Sequence, residues 1–241
     1  MVDTKKILII RGWRSKKEHW QKTKEAFETR GFEVLMPALP GVSEEGERIE
    51  KPWSIDDYKK WLFNFTENKR WNNFNLLGHS FGGAVSVKFS ACYPEKVEKL
   101  ILCSPAIVGI KSLRSISIFI IAQIIKIFFR LPFLRKFFPK IKKRLSRGRF
   151  RDYYFEGGVM RKTLSNLSKE KYENLLKKIR AKTLIIWGEK DDRISVKYSK
   201  RIKNDIKDAR LIIFPLVKHN PHREKPEEFV SEIIKFLGLN Q

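Results

Sequence analysis

Hydrophobic residues in this chain come in short, dense runs separated by longer amphipathic stretches. The runs at 7–10, 34–36, 74–77, 100–103, 184–187 and 211–214 are rich in Ile, Leu, Val and Phe and stop at glycine, proline, serine or charged residues. Runs of that length without polar alternation predict strands buried on both faces. Helical patterning fills the intervals at 20–29, 55–65, 81–92, 196–203 and 226–237. Strand and helix therefore alternate, which predicts an α/β fold: a parallel sheet with helices on both faces, right-handed crossovers, and ligands at the carboxyl ends of the strands.

One stretch breaks the alternation. From 107 to 170 no strand-like run appears, far longer than an ordinary connection, so the chain divides into a first core part (1–106), an inserted helical cap (107–170) and a second core part (171–241). Between Lys111 and Arg151 the cap has thirteen lysines and arginines and no acid, interleaved with Ile118, Phe119, Ile120, Ile121, Ile124, Ile125, Phe128 and Phe129. Much of the net charge of +24, from 51 basic against 27 acidic residues, is thus local. Charge of that sign invites a polyanion, and the interleaved apolar residues favour an anionic membrane surface over nucleic acid, for which no recognition module is visible. Lys126 and Arg130 interrupt the apolar stretch short of the roughly 20 residues that span a bilayer. Neither a signal peptide nor a disulfide framework is expected, which makes a cytoplasmic location the default. Cys92 and Cys103, without metal-ligand spacing, read as small buried hydrophobes.

The chemistry concentrates in three places. Gly78-His79-Ser80-Phe81-Gly82-Gly83 joins the strand at 74–77 to the helix at 81–92. A serine on so tight a turn is held in strained geometry, with flanking glycines letting strand and helix pass closely and the helix N-terminus offering the Phe81 N–H to a developing oxyanion. Next, Gly188-Glu189-Lys190-Asp191-Asp192-Arg193-Ile194 follows the fifth run, and His219-Asn220-Pro221-His222 follows the sixth. A hydroxyl becomes a nucleophile when an imidazole takes its proton and a carboxylate fixes that imidazole, so serine, acid and histidine in this order supply a full set.

These motifs resemble the α/β-hydrolase superfamily over nearly all the chain outside the cap. The resemblance implies about six mainly parallel strands in the order 2-1-3-4-5-6, with Ser80 as nucleophile, His219 as base, and Asp191 as acid, Asp192 one position away remaining the alternative. It also implies a second oxyanion donor from the Trp13 N–H, after Arg11-Gly12. Where relatives open with His-Gly, Arg11 stands instead, either a solvated strand-end residue or an unusual charge at the site; where they commonly have aspartate, Ala38 stands. His222 matches a recurrent histidine without a role in the triad. Serine at the elbow excludes the haloalkane dehalogenase and epoxide hydrolase branches. The expected activity is hydrolysis of a carboxylic ester or related hydrophobic acyl compound through an acyl-serine, without metal or cofactor. Carbon–carbon bond and thioester hydrolysis use the same triad, and a silent binding protein on this fold is the reading from another class.

The cap either roofs the active site as a lid or docks on anionic lipid. Docking makes cosedimentation with liposomes rise with anionic lipid content, fall with salt, and weaken on charge reversal at Lys142, Lys143 and Arg144. Equal partitioning onto neutral and anionic vesicles would leave the stretch an ordinary lid.

Overall fold

The computed structural model of the protein describes residues 5–107 and 158–238. Along these residues run β1 (Lys6–Ile10), α1 (Gln21–Glu28), β2 (Glu33–Leu35), α2 (Ile55–Asn68), β3 (Phe74–His79), α3 (Phe81–Cys92) and β4 (Val97–Cys103). After the undescribed stretch come α4 (Gly158–Leu167), α5 (Glu173–Leu176), β5 (Lys182–Gly188), α6 (Lys197–Asp205), β6 (Ala209–Phe214), α7 (Pro221–Glu224) and α8 (Pro226–Leu237). Most of the stretch read from the sequence as an inserted cap, 108–157 with its basic run, lies outside the described residues; its last part, 158–170, is described and contains α4.

The six strands form one parallel sheet in the order β2-β1-β3-β4-β5-β6. Their dense apolar runs divide by strand alternation into two cores. Leu8 and Ile10 of β1, Leu76, Leu100, Leu102 and Ile185 point to one face, against Tyr58 and Leu62 of α2, Val85 of α3, Leu176 of α5 and Ile202 of α6. Ile7, Ile9, Leu77, Ile101, Leu184 and Ile186 point to the other, against Trp20, Phe27 of α1 and Phe229, Val230, Ile233 and Ile234 of α8. A strand sandwiched in this way cannot alternate apolar with polar, hence the runs seen in the sequence. The helices also carry local signals. Ser54 caps α2, its hydroxyl accepting from the Asp57 N–H while the Asp57 carboxylate accepts from the Ser54 N–H. α8 ends at Gly238 in the left-handed conformation.

Among the described helices α3 is the most enclosed, with residues 81–87, 89 and 90 all buried. It lies against the sheet so closely that a Cβ at Gly82 would be 2.0 Å from the Ile10 carbonyl oxygen. One expectation fails at the far end of this helix: Cys92 is exposed, although Phe89 and Ser90 in the same turn are buried, while Cys103 on β4 is buried as expected. Among the described residues no helix is long and apolar enough to cross a membrane.

Glycine at 82 is a packing requirement, whereas at Gly31, with φ +79° and nothing within 4 Å of an added Cβ, it is a conformational one. Urea unfolding of Gly82→Ala is expected to show a loss of at least about 3 kcal/mol, and of Gly31→Ala only about 1 kcal/mol. Equal losses would mean that α3 and β1 are not in backbone contact.

Candidate active site

At the carboxyl edge of β3 the chain turns sharply into α3, and Ser80 occupies the turn with φ +52° and ψ −117°. A serine in that region stores about 1–3 kcal/mol of strain, so its surroundings must hold it there. They do so through β4: the Ser80 N–H donates to the Cys103 carbonyl at 3.0 Å, and the Ser80 carbonyl accepts from Ala106 N–H at 2.8 Å. The hydroxyl that results points away from the sheet into the loops after β5 and β6.

Those two loops run side by side. Glu189 N–H donates to the Phe214 carbonyl and Lys190 N–H to the Val217 carbonyl, at 2.9 and 2.8 Å. The Trp187 indole N–H reaches the Ile194 carbonyl, closing the acid loop on itself. The base loop is braced by Glu224, whose carboxylate accepts from Lys218 N–H and Asn220 N–H on either side of His219. His219 then reaches both partners: its Nδ1–H donates to Asp191 at 2.9 Å, and the Ser80 hydroxyl donates to its Nε2 at 3.0 Å. The side chains of His219 and Asp191 are 3% and 0% exposed. Burial works against charge on Asp191, but the hydrogen bonds from His219, Ile194 N–H and Arg193 N–H outweigh it and hold the carboxyl below its usual range. Asp192, the alternative acid, points to solvent.

The residues expected to supply oxyanion donors are also adjacent. A Cβ on Gly12 would be 3.1 Å from the Ser80 Cβ, so the loop after β1 passes directly over the serine. Trp13 meets Phe81 edge to face at 5.5 Å between ring centroids. Phe81 is the first residue of α3, where backbone N–H groups have no partner within the helix.

Two features escaped the sequence reading, the tie made by Arg11 and the brace made by Glu224. Arg11 is not a solvated strand-end residue: it is 2% exposed, donates to the Ser15 carbonyl at 2.8 Å and forks onto both Glu45 carboxylate oxygens at 3.3 and 3.1 Å. It thereby ties the loop after β1 to the loop carrying Glu45, a partner too distant in sequence for any motif to reveal. Glu224 had only the Asn220-Pro221 helix start as a signal. His222, recognised as outside the triad, lies flat on Trp20 with centroids 3.8 Å apart. His19 takes no part in the site.

A family model for serine aminopeptidases, S33, matches residues 3–226. The chain belongs to that family. Lipase 1 of Psychrobacter immobilis is 24% identical over 97% of this chain and 77% of its own length. A 2-hydroxy-6-oxo-6-phenylhexa-2,4-dienoate hydrolase of Comamonas testosteroni is 27% identical over 68% of this chain and 62% of its own length. The crystal structure of an α/β hydrolase from a Medee basin deep-sea metagenome library superposes with TM-score 0.75 at 18% identity, covering 100% of this chain and 92% of that one. This S33-family member is accordingly an α/β-fold serine hydrolase. Its geometry suits acyl transfer: a hydroxyl, a general base in line with it, and an ionised carboxylate that stabilises the imidazolium formed when the proton moves.

The Arg11–Glu45 pair has a pH signature. Hydrogen bonding to Arg11 lowers the Glu45 carboxyl, although burial opposes the shift. The folded pKa being below the unfolded one, the pair stabilises the fold above about pH 4.3, and that stabilisation is lost as pH falls through the folded pKa. Glu45→Gln is therefore expected to be less stable than the parent by a constant margin from pH 7 to about 5 and to converge with it in acid. A margin that stays constant down to pH 3 would show that the pair contributes nothing through its charge.

Proposed function

We propose that the protein hydrolyses a carboxylic ester with a hydrophobic acyl group through an acyl-serine intermediate. The continuous hydrogen-bonded chain from Ser80 through His219 to Asp191 carries this reading. Ser80 Oγ attacks the acyl carbon while His219 Nε2 takes the hydroxyl proton. The carbonyl oxygen becomes an oxyanion, stabilised by the N–H groups of Phe81 and Trp13 and by the positive end of α3. Collapse of this intermediate breaks the bond to the leaving group, which receives the proton from His219. Water then gives a proton to His219 and attacks the acyl carbon, and the carboxylic acid leaves as Ser80 regains its proton. Asp191 holds the imidazole in the required tautomer throughout.

A hydrophobic acyl group is supported by the aromatic chain beside the serine. Trp13 contacts Phe81, Phe81 contacts Tyr58 at 5.1 Å, and Tyr58 contacts Trp53 at 4.9 Å, all edge to face. The likeness to lipases points the same way, and the likeness to the dienoate hydrolase supports a second reading, carbon–carbon bond hydrolysis, because an acyl-serine or its hydrated equivalent serves either leaving group. The basic apolar stretch 111–151 suits peripheral contact with the anionic surface on which such a substrate resides.

A fluorophosphonate probe is expected to label the parent and not Ser80→Ala. Short activated aryl esters should be cleaved, with kcat/KM falling by roughly three orders of magnitude or more in Ser80→Ala and His219→Ala, and nearly as far in Asp191→Asn. Asp192→Asn is expected to be mild; were it the damaging change, the acid would be misassigned. A panel of aryl esters, thioesters and dienoic ketoacids ranks the substrate classes, and a preference for ketoacids would replace the first reading by the second.

A further inference from the structure

Behind Ser80, on the face of the sheet covered by α1 and α8, three side chains take no part in the proton relay. One ring nitrogen each of His79 and His222 and the sulfur of Cys103 lie within 4.8 Å of one another. The residues are 3%, 2% and 0% exposed, respectively. They converge from separate elements: His79 ends β3, Cys103 ends β4 as its register partner, and His222 sits in α7.

Three of their four ring nitrogens have no evident use in the fold. Among the described residues, His79 Nδ1 and both ring nitrogens of His222 have no hydrogen-bond partner. A buried polar atom left in that state costs about 1–3 kcal/mol, so a ligand that takes up a lone pair is favoured here. Stacking on Trp20 and an edge contact with His79 at 4.7 Å position the His222 ring instead. A neutral imidazole has one N–H and one lone pair, so each ring offers one nitrogen able to ligate. The His79 Nε2–H donates to the His219 carbonyl at 3.1 Å. A hydrogen bond from one ring nitrogen to a backbone carbonyl is the usual means of orienting a metal-ligating histidine.

We propose that His79, Cys103 and His222 form a binding site for a soft monovalent metal ion, copper(I). Two imidazoles and a thiolate are a borderline-to-soft donor set. Charge and number select the monovalent ion: a thiolate cancels its charge exactly where low dielectric penalises any remainder, and three donors suffice, whereas zinc(II) leaves a net charge and takes a fourth ligand. At metal–nitrogen and metal–sulfur lengths of about 2.0 and 2.3 Å, three donors sit roughly 3.5–3.8 Å apart, so these close by up to about 1 Å. Binding replaces the Cys103 S–H bond by an S–Cu bond and releases the proton to solvent; no electron is transferred. Because the metal displaces the thiol proton, affinity rises with pH. The site stands independently of the reading of Ser80 as nucleophile, although a metal on His79 would act on the residue that holds the His219 carbonyl.

The test uses the full chain carrying Cys92→Ser, which removes the exposed thiol. Anaerobic competition with bicinchoninate-buffered copper(I) is expected to show one equivalent retained, with Ser80→Ala unchanged. Cys103→Ser and His222→Gln should each bind about a hundredfold or more weakly. X-ray absorption on the copper-loaded protein should find one sulfur and two nitrogen neighbours, a readout that stands even if a variant folds poorly. Failure to retain copper, retention untouched by Cys103→Ser, or a copper shell without sulfur would each overturn the proposal.

Discussion

At position 82 a helix and a strand meet with only hydrogen atoms between them, since a methyl group there would lie 2.0 Å from the Ile10 carbonyl oxygen. That approach draws the N-terminus of α3 down onto the sheet and leaves the chain no room to leave β3 by an ordinary turn. The left-handed backbone of Ser80 follows from it, and so does the outward direction of the hydroxyl. Gly12 repeats the constraint from the other side, since a Cβ there would lie only 3.1 Å from the Ser80 Cβ as the loop after β1 passes. A nucleophile, a helix N-terminus and a donor loop are thus gathered by the omission of side chains, a kind of packing in which any added carbon is felt.

The relay on the opposite side is fixed by charge and hydrogen bonding. Asp191 is an ionised carboxylate out of contact with water, sustained by one imidazole and two backbone N–H groups. Glu224 does for the base loop what the peptide groups do for the acid, and Arg11 with Glu45 does it for the donor loop. Each loop of the site therefore has its own polar anchor. The cost of burying these groups is offset by geometry that also keeps the reacting atoms within hydrogen-bonding range before a substrate arrives.

Much of this was legible in the sequence because strands buried on both faces leave dense apolar runs. α3 and α8 begin and end where the patterning placed them, and the strand order follows from the family resemblance. The strands extend further than their apolar runs, since Lys6, Glu33, Lys182 and Arg210 pair in the ladder while their side chains remain outside the core. Asp191 and Asp192 could not be separated by spacing, because one residue decides which carboxylate faces inward and that depends on the bonds to Arg193 and Ile194. The burial of Arg11 depends on Glu45, 34 positions away, and the exposure of Cys92 on which side of the last turn of α3 the tertiary packing covers. No local pattern encodes either.

Asp191 and His219, the proposed acid and base, follow β5 and β6, and Ser80, the proposed nucleophile, belongs with both of its expected oxyanion donors to β1–α3. The two groups meet along the β4–β5 ladder, and the stretch 108–157 joins them in sequence. On the proposed mechanism the chain is a two-part device: one segment holds an attacking group with no means of activation, and the other holds a proton relay with nothing to activate. Such an arrangement lends itself to fragment complementation, in which activity reports that two polypeptides have come together, and it leaves the connecting stretch free to diverge in sequence while the chemistry on either side of it is kept.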